Sequence, residues 1–128
     1  MRRPLVLAAV VLAVITVTAV APASRTHRSR VCTRRLLPLT ANAIGPATAA
    51  ALRRERPSER PQVVSAALAT ADRGRGPEAK TECSARIWRR TVVVYITLRA
   101  FLPSASLSER VDFVGRFRGG YRVWQVVH

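Results

Sequence analysis

Alternation of side-chain type in the C-terminal third is the feature that most limits the fold of this chain. In TVVVYITLRAFL (residues 91–102) aliphatic residues recur at every second position, and ERVDFVGRF (residues 109–117) repeats the pattern. A period of two places alternate side chains on opposite faces of a β-strand. Gly119 and Gly120 then supply the positive φ angles of a tight hairpin before a last strand, YRVWQVV. This part of the chain therefore predicts an antiparallel sheet.

Two segments before these strands carry helix signals. In GPATAAALRRER, Pro46 stands at a first helical position, residues of high helix propensity follow, and Pro57 ends the helix. In SERPQVVSAALATADRG, Ser58 can cap a second helix whose apolar side chains share one face. GRGPEAK reads as a loop, and TECSARIW (residues 81–88) as a first strand. The expected fold is α+β, with two short helices on the aliphatic face of a four-stranded antiparallel meander.

Residues 1–23 have the three-part layout of a secretory signal peptide. Two arginines precede an unbroken apolar run over residues 5–21, and a small-residue cleavage pattern follows it. The run is at the short limit of a membrane span, so an uncleaved anchor that contacts the membrane is the alternative. Five arginines lie in the basic stalk, residues 24–35, and favour a reversed anchor with the domain in the cytoplasm. All three topologies stay open.

The chain has two cysteines, Cys32 and Cys83, and no CxxC motif. In an exported domain spanning residues 36–128, one disulfide between them is the natural pairing. Two free buried thiols are expected instead if the domain faces the cytoplasm. The sequence favours a domain that is secreted, or anchored in the cytoplasmic membrane with the domain outside. The two histidines, His27 and His128, are too scattered to complete a metal site with the thiols, so we predict no metal or cofactor.

Arginine dominates the charged residues. The chain carries 22 basic side chains, of which 21 are arginine, against 7 carboxylates, and its net charge is +15. Such a chain is attracted to polyanions: anionic lipid, acidic wall polymers or nucleic acid. The alternative is compositional, because the 20 alanines and 17 valines that accompany arginine are typical of GC-rich bacterial genomes.

Strand parity groups several arginines with aromatic residues, away from the aliphatic side of the sheet. The predicted binding face consists of Tyr95, Arg99, Phe101, Arg116, Arg118, Arg122 and Trp124. Arginine beside aromatic rings is typical of surfaces that hold phosphates and stack rings. Two alternatives remain: the rings pack on arginine stems, or the face is a protein interface.

The order of elements, ending in a GG-x-R-V-W-x-V-V strand, resembles small extracytoplasmic domains of the nuclear transport factor 2-like (cystatin-like) class from GC-rich bacteria. The resemblance is strongest over residues 83–127. It implies a curved sheet wrapped around N-terminal helices, but no particular function, since members are enzymes, binding modules or assembly subunits.

Catalytic residues are not apparent in the sequence. Neither histidine is placed to work in a preformed site, and most carboxylates fall in surface segments. Asp112, in the middle of a strand, is expected to form a surface ion pair with arginines such as Arg116. We therefore predict a non-catalytic envelope accessory or interaction protein of unknown partner. A basic and aromatic face that binds a polyanion is the alternative function.

Overall fold

A computed structural model describes Cys32, residues 36–105 and residues 107–128. The predicted signal or anchor over residues 1–23 lies outside the described residues, as does the stalk apart from Cys32. Among the helices that are described, none is long and apolar enough to cross a bilayer.

Four strands form one antiparallel sheet in the order of the sequence, which confirms the predicted α+β class and the meander. The strands are β1 (Pro61–Leu68), β2 (Thr91–Leu98), β3 (Glu109–Phe117) and β4 (Gly120–Val127). The helices are α1 (Ile44–Arg54), α2 (Gly76–Glu82) and the single-turn α3 (Ala85–Trp88), with a short 3-10 turn at Pro57–Glu59.

The β3–β4 hairpin lies where the sequence predicts it, but only one of its two glycines has the predicted positive φ angle. Phe117 pairs with Gly120 across a two-residue turn, and Gly120 has a φ of 113°, which a residue with a side chain rarely adopts. β3 has the predicted bounds, whereas β2 ends at Leu98 and not at residue 102. Arg99 and Phe101 lie in the following turn, so the alternation along β2 does not determine on which face of the sheet their side chains lie.

The helix predicted over SERPQVVSAALATADRG is wrong, because most of this segment forms β1. A bulge between Val63 and Ser65 interrupts the alternation of the strand. Val63 pairs with Ile96, and after the bulge Ala66 pairs with Val94, so both lie on one face although they are three residues apart. This spacing resembles that of a helix face, and it explains the incorrect assignment.

The strand predicted over residues 81–88 is also wrong, because this segment contains the end of α2 and all of α3. Pro77 occupies the first turn of α2, inside the segment predicted as a loop. Ser84 caps α3, its hydroxyl accepting a hydrogen bond from the backbone N–H of Ile87 at 3.2 Å. Residues 89–90 therefore join a helix to β2, and not one strand to another.

α1 covers one face of the sheet, which we call the α1 face. Small side chains on the inner side of the helix allow it to lie close to the strands. The buried residues here are Ala43, Ala47, Ala50, Ala51, Val92, Val94, Ile96, Leu98 and Val114. This is the aliphatic layer that the sequence predicts.

The opposite face, which we call the α2–α3 face, is covered by the two shorter helices. Phe113 and Trp124 are buried there, with their ring centroids 5.5 Å apart. The predicted disulfide between Cys32 and Cys83 lies against this layer, with a Cα–Cα distance of 5.3 Å. Helices thus cover both faces of the sheet, not one.

Candidate anion-binding surface

The seven residues of the predicted binding face do not form one exposed surface. Trp124 is only 6% exposed beneath α2 and α3. The Tyr95 hydroxyl donates to the Asp72 carboxylate at 3.0 Å and accepts from the backbone N–H of Arg75 at 3.0 Å. Phe101 packs on the other side of the sheet, against the α1 core. The prediction of a shared exposed face is wrong because residues 81–88, which the sequence predicts to be a strand, belong to the helices that cover this side of the sheet.

Three of the seven residues lie at one end of the sheet. Arg116 donates to the carbonyl of Pro38 at 3.2 Å, whereas Arg118 and Arg122 are exposed around the β3–β4 turn. Arg99 lies at the other end, where its backbone carbonyl accepts from the Arg60 guanidinium. The structure therefore keeps Arg116, Arg118 and Arg122 together and separates them from the rest.

We call this end of the sheet the hairpin end. Because neighbouring strands are antiparallel, it contains the last residues of β1 and β3 and the first residues of β2 and β4. Leu68 pairs with Val92, and Thr91 with Gly115. Two open grooves lie at this end, and arginines line both.

The first groove, the α1 groove, lies between the last turns of α1 and the start of β4. Its volume is about 350 Å³. Arg53 and Arg54 contribute to it from the helix, and Tyr121 and Arg122 from the strand. Arginines with an aromatic residue beside them suit an anion, because guanidinium forms paired hydrogen bonds with phosphate or carboxylate oxygens.

The second groove, the loop groove, lies between α3, the end of β1 and residues 38–41. It has a larger volume, about 760 Å³, and its lining residues include Arg86, Arg89 and Arg90. Arg86 and Arg89 are exposed, while the Arg90 guanidinium donates to the carbonyl of Leu36. In the part of the chain that the structure describes, neither groove has a carboxylate in its lining.

A narrow ridge separates the two grooves. Thr40 lines the loop groove, and its hydroxyl lies 2.8 Å from the hydroxyl of Tyr121, which lines the α1 groove. The backbone N–H of Thr40 also donates to that Tyr121 oxygen at 3.3 Å. The crossing point between the grooves is therefore short and polar.

The carboxylates of the domain are buried, hydrogen-bonded or distant from the hairpin end. Only two ion pairs occur among the described residues, Arg75–Glu78 and Arg110–Glu55, and neither includes an arginine of the grooves. Two further carboxylates bind neutral groups, Asp72 the Tyr95 hydroxyl and Glu82 the Gln125 amide. The hairpin end thus has a positive field that no neighbouring acid neutralises.

A smaller cavity of about 260 Å³ lies toward the opposite end of the α2–α3 face. Arg75, Tyr95, Glu109 and His128 are among its lining residues. Its charges are mixed, and Arg75 is already paired with Glu78 at 2.6 Å. No group of three or more metal-binding side chains occurs in the part of the chain that the structure describes. This cavity is therefore less suited to an anion than the two grooves.

Asp112 does not form the surface ion pair that the sequence suggests. It is fully buried on the α1 face, and neither carboxyl oxygen has a hydrogen-bond partner among the described residues. Burial raises its pKa to about 6, and the charge of Glu55 adds to the rise, while Arg54 and Arg110 oppose it. Arg116 is occupied elsewhere, by Pro38.

Replacing Asp112 with asparagine is expected to remove a pH dependence of stability. The folded pKa of about 6 lies above the ordinary 3.8, so the folded wild type binds the proton more tightly and loses stability as pH rises from about 4 to 6. The shift corresponds to about 3 kcal/mol in the free energy of unfolding. Urea unfolding from pH 4 to 8 would measure it. Parallel curves for wild type and Asp112→Asn would contradict the assignment.

Comparison with models of protein families, with curated proteins and with solved structures finds no match to this chain. The resemblance to the nuclear transport factor 2-like class therefore stays a prediction. Sequence reasoning also missed Arg53, Arg54, Arg86, Arg89 and Arg90 as site residues. The signal that could have found four of them is the pair of arginine dipeptides at residues 53–54 and 89–90, whereas no sequence pattern marks Arg86.

Proposed function

We propose that this chain is a non-catalytic, exported or membrane-tethered domain that binds a phosphate-bearing polyanion of the cell envelope at the hairpin end. The observation that carries the proposal is the pair of grooves, each lined by three arginines and by no carboxylate. Several arginines in one groove favour binding of repeated anionic groups, because guanidinium is always charged.

The shape of the grooves supports a binding role for the hairpin end. Both grooves are open and shallow, and their arginines project from the ends of helices and from a hairpin. Such a surface contacts the charged groups of an extended ligand and leaves the rest of that ligand in solvent. Enclosed catalytic sites differ, because they exclude water from a reacting bond.

The disulfide supports the proposed location. Disulfides persist in oxidising compartments and are rare in the cytoplasm, so the Cys32–Cys83 bond indicates an extracytoplasmic environment. Anionic lipid headgroups and acidic wall polymers are the phosphate-rich partners of that environment. Nucleic acid would become the first ligand to test only if the domain faced the cytoplasm.

Binding of long-chain inorganic polyphosphate by the disulfide-bonded protein is the first test. We expect the logarithm of the affinity to fall linearly with the logarithm of salt concentration, because binding of phosphates by arginine releases counterions. The triple variant R53Q/R54Q/R122Q should reduce that slope by about one unit for each phosphate that the protein no longer binds. Titration calorimetry at several salt concentrations would measure both effects.

A matched control is provided by arginines outside the grooves. Arg73 and Arg99 are exposed and line neither groove, and R73Q/R99Q should leave most of the affinity and slope unchanged. If this control weakens binding as much per charge as the groove variant, net charge and not the grooves holds the polymer. Separately, binding to vesicles with and without anionic lipid would show whether the protein binds lipid headgroups as well as free polymer.

A role as an envelope accessory protein is the second candidate, and exposed apolar side chains on β1 favour it. This edge strand leaves Val64 67% exposed and Leu68 40% exposed. Apolar residues on an edge strand can contribute to a protein interface. Such an interface would respond little to salt, and the uncharged substitution Val64→Gln would weaken it while leaving polyphosphate binding intact.

A further inference from the structure

We propose that the ligand of the hairpin end is a linear polymer that occupies the α1 groove and the loop groove together, and not an isolated phosphate group or headgroup. This inference rests on the proposed function and specifies the class of ligand. Three features support it: the distance between the grooves, the polar ridge between them and the division of arginines into two clusters.

The distance between the grooves follows from the sheet. The loop groove is lined at the ends of β1 and β2, by Leu68 and Arg90, and the α1 groove at β4, by Arg122. These positions are two to three strand spacings apart along the sheet, or about 10 to 14 Å, and the separation of the helix arginines is larger because α1 and α3 lie on opposite faces. A single phosphate or pyrophosphate can contact one arginine cluster but cannot reach the other. A chain of repeated phosphates can.

The ridge between the grooves allows a chain to pass. Thr40 is exposed, and its hydroxyl and that of Tyr121 form the contact that divides the grooves. Hydroxyl groups can donate hydrogen bonds to phosphate oxygens, so an anionic chain meets hydrogen-bonding groups at the crossing and not an apolar barrier. A carboxylate at this point would repel the chain, but none lines either groove.

The six groove arginines are divided evenly between two clusters, one in each groove. Arg53 and Arg54 are held by α1, whereas Arg86 and Arg89 are held by α3 and the residue that follows it. Two clusters at a fixed separation act as a bivalent site, in which binding at one cluster raises the effective concentration of the same chain at the other. The gain depends on the length of the ligand, which makes the inference testable.

The experiment compares pyrophosphate with long-chain polyphosphate on the disulfide-bonded protein. We expect the long chain to bind about 100-fold more tightly per phosphate, as bivalent engagement predicts. R53Q/R54Q disables the α1 groove and R86Q/R89Q the loop groove. Either variant should remove most of the gain from chain length, while R73Q/R99Q, with the same loss of charge, should keep it. Thermal unfolding of each variant would verify that the fold is retained.

The outcomes separate this inference from the proposed function. If the long chain binds tightly and only one groove variant weakens it, the ligand occupies a single groove and the linear crossing is wrong. If affinity per phosphate does not depend on length, the bivalent site is likewise wrong, although polyanion binding stands. If neither ligand binds at low salt, the proposed function itself fails.

Discussion

Arg110→Met is expected to lower the free energy of unfolding by about 3 to 5 kcal/mol. Both carboxylate oxygens of Glu55 accept hydrogen bonds from Nη1 of Arg110, at 2.7 and 2.5 Å. The Glu55 side chain is only 1% exposed, and Asp112 is buried nearby. Without the guanidinium, two carboxyl groups would share a buried region with no hydrogen-bonding cation. Urea unfolding at pH 7 measures the loss.

The double variant E55M/R110M is the control for this prediction. Replacing both members of a buried ion pair with apolar side chains of similar volume often costs little, whereas removing one member leaves a charge without compensation. We therefore expect the double variant to recover most of the stability lost in Arg110→Met. If the losses in the free energy of unfolding of Glu55→Met and Arg110→Met add up to the loss of the double variant, the two residues act independently and the account is refuted.

Removing the disulfide is the second change with a large expected effect. Cys32 and Cys83 are 51 positions apart, and closing a loop of this length restricts the unfolded chain by about 4 kcal/mol in the chain-entropy model. Small domains have a total stability of about 5 to 15 kcal/mol, so this is a large fraction. C32S/C83S should therefore unfold at a much lower urea concentration than the oxidised wild type.

Reduced wild type provides the comparison for the serine variant. If the bond acts mainly on the unfolded chain, reduced wild type and C32S/C83S should unfold at the same urea concentration. If the oxidised wild type unfolds at the same urea concentration as the serine variant, the bond contributes no net stability. Because the sulfurs pack against the α2–α3 face, tryptophan fluorescence from Trp88 and Trp124 can follow this region directly.

The last three strands could be predicted from the sequence because their patterns are local. Alternation specifies β2 and β3, and two glycines specify the hairpin before β4. The first strand could not be predicted in this way. Its bulge places Val63 and Ala66 on one face at a spacing of three, so the pattern in the sequence is that of a helix.

The candidate site could be predicted only in part, because it is formed by tertiary contacts. Arg118 and Arg122 were singled out from the strand pattern, and they do lie at the hairpin end. Arg54 comes from a helix nearly 70 residues earlier in the chain, and no local pattern brings it beside Arg122. Conversely, strand parity places Trp124 on the face that was expected to be exposed, but α2 and α3 cover that face.

Uneven placement of charge along the sheet has a kinetic consequence. The hairpin end carries arginines from α1, α3, β3 and β4 without a carboxylate in its grooves, whereas at the opposite end the positive charges of Arg60, Arg99 and Arg110 are offset by Glu55, Glu59 and Glu109. The electric field is therefore directional, and an approaching anionic partner is drawn to the hairpin end before contact. Rotational search is shortened, so the association rate constant should be high at low ionic strength and fall as salt is added.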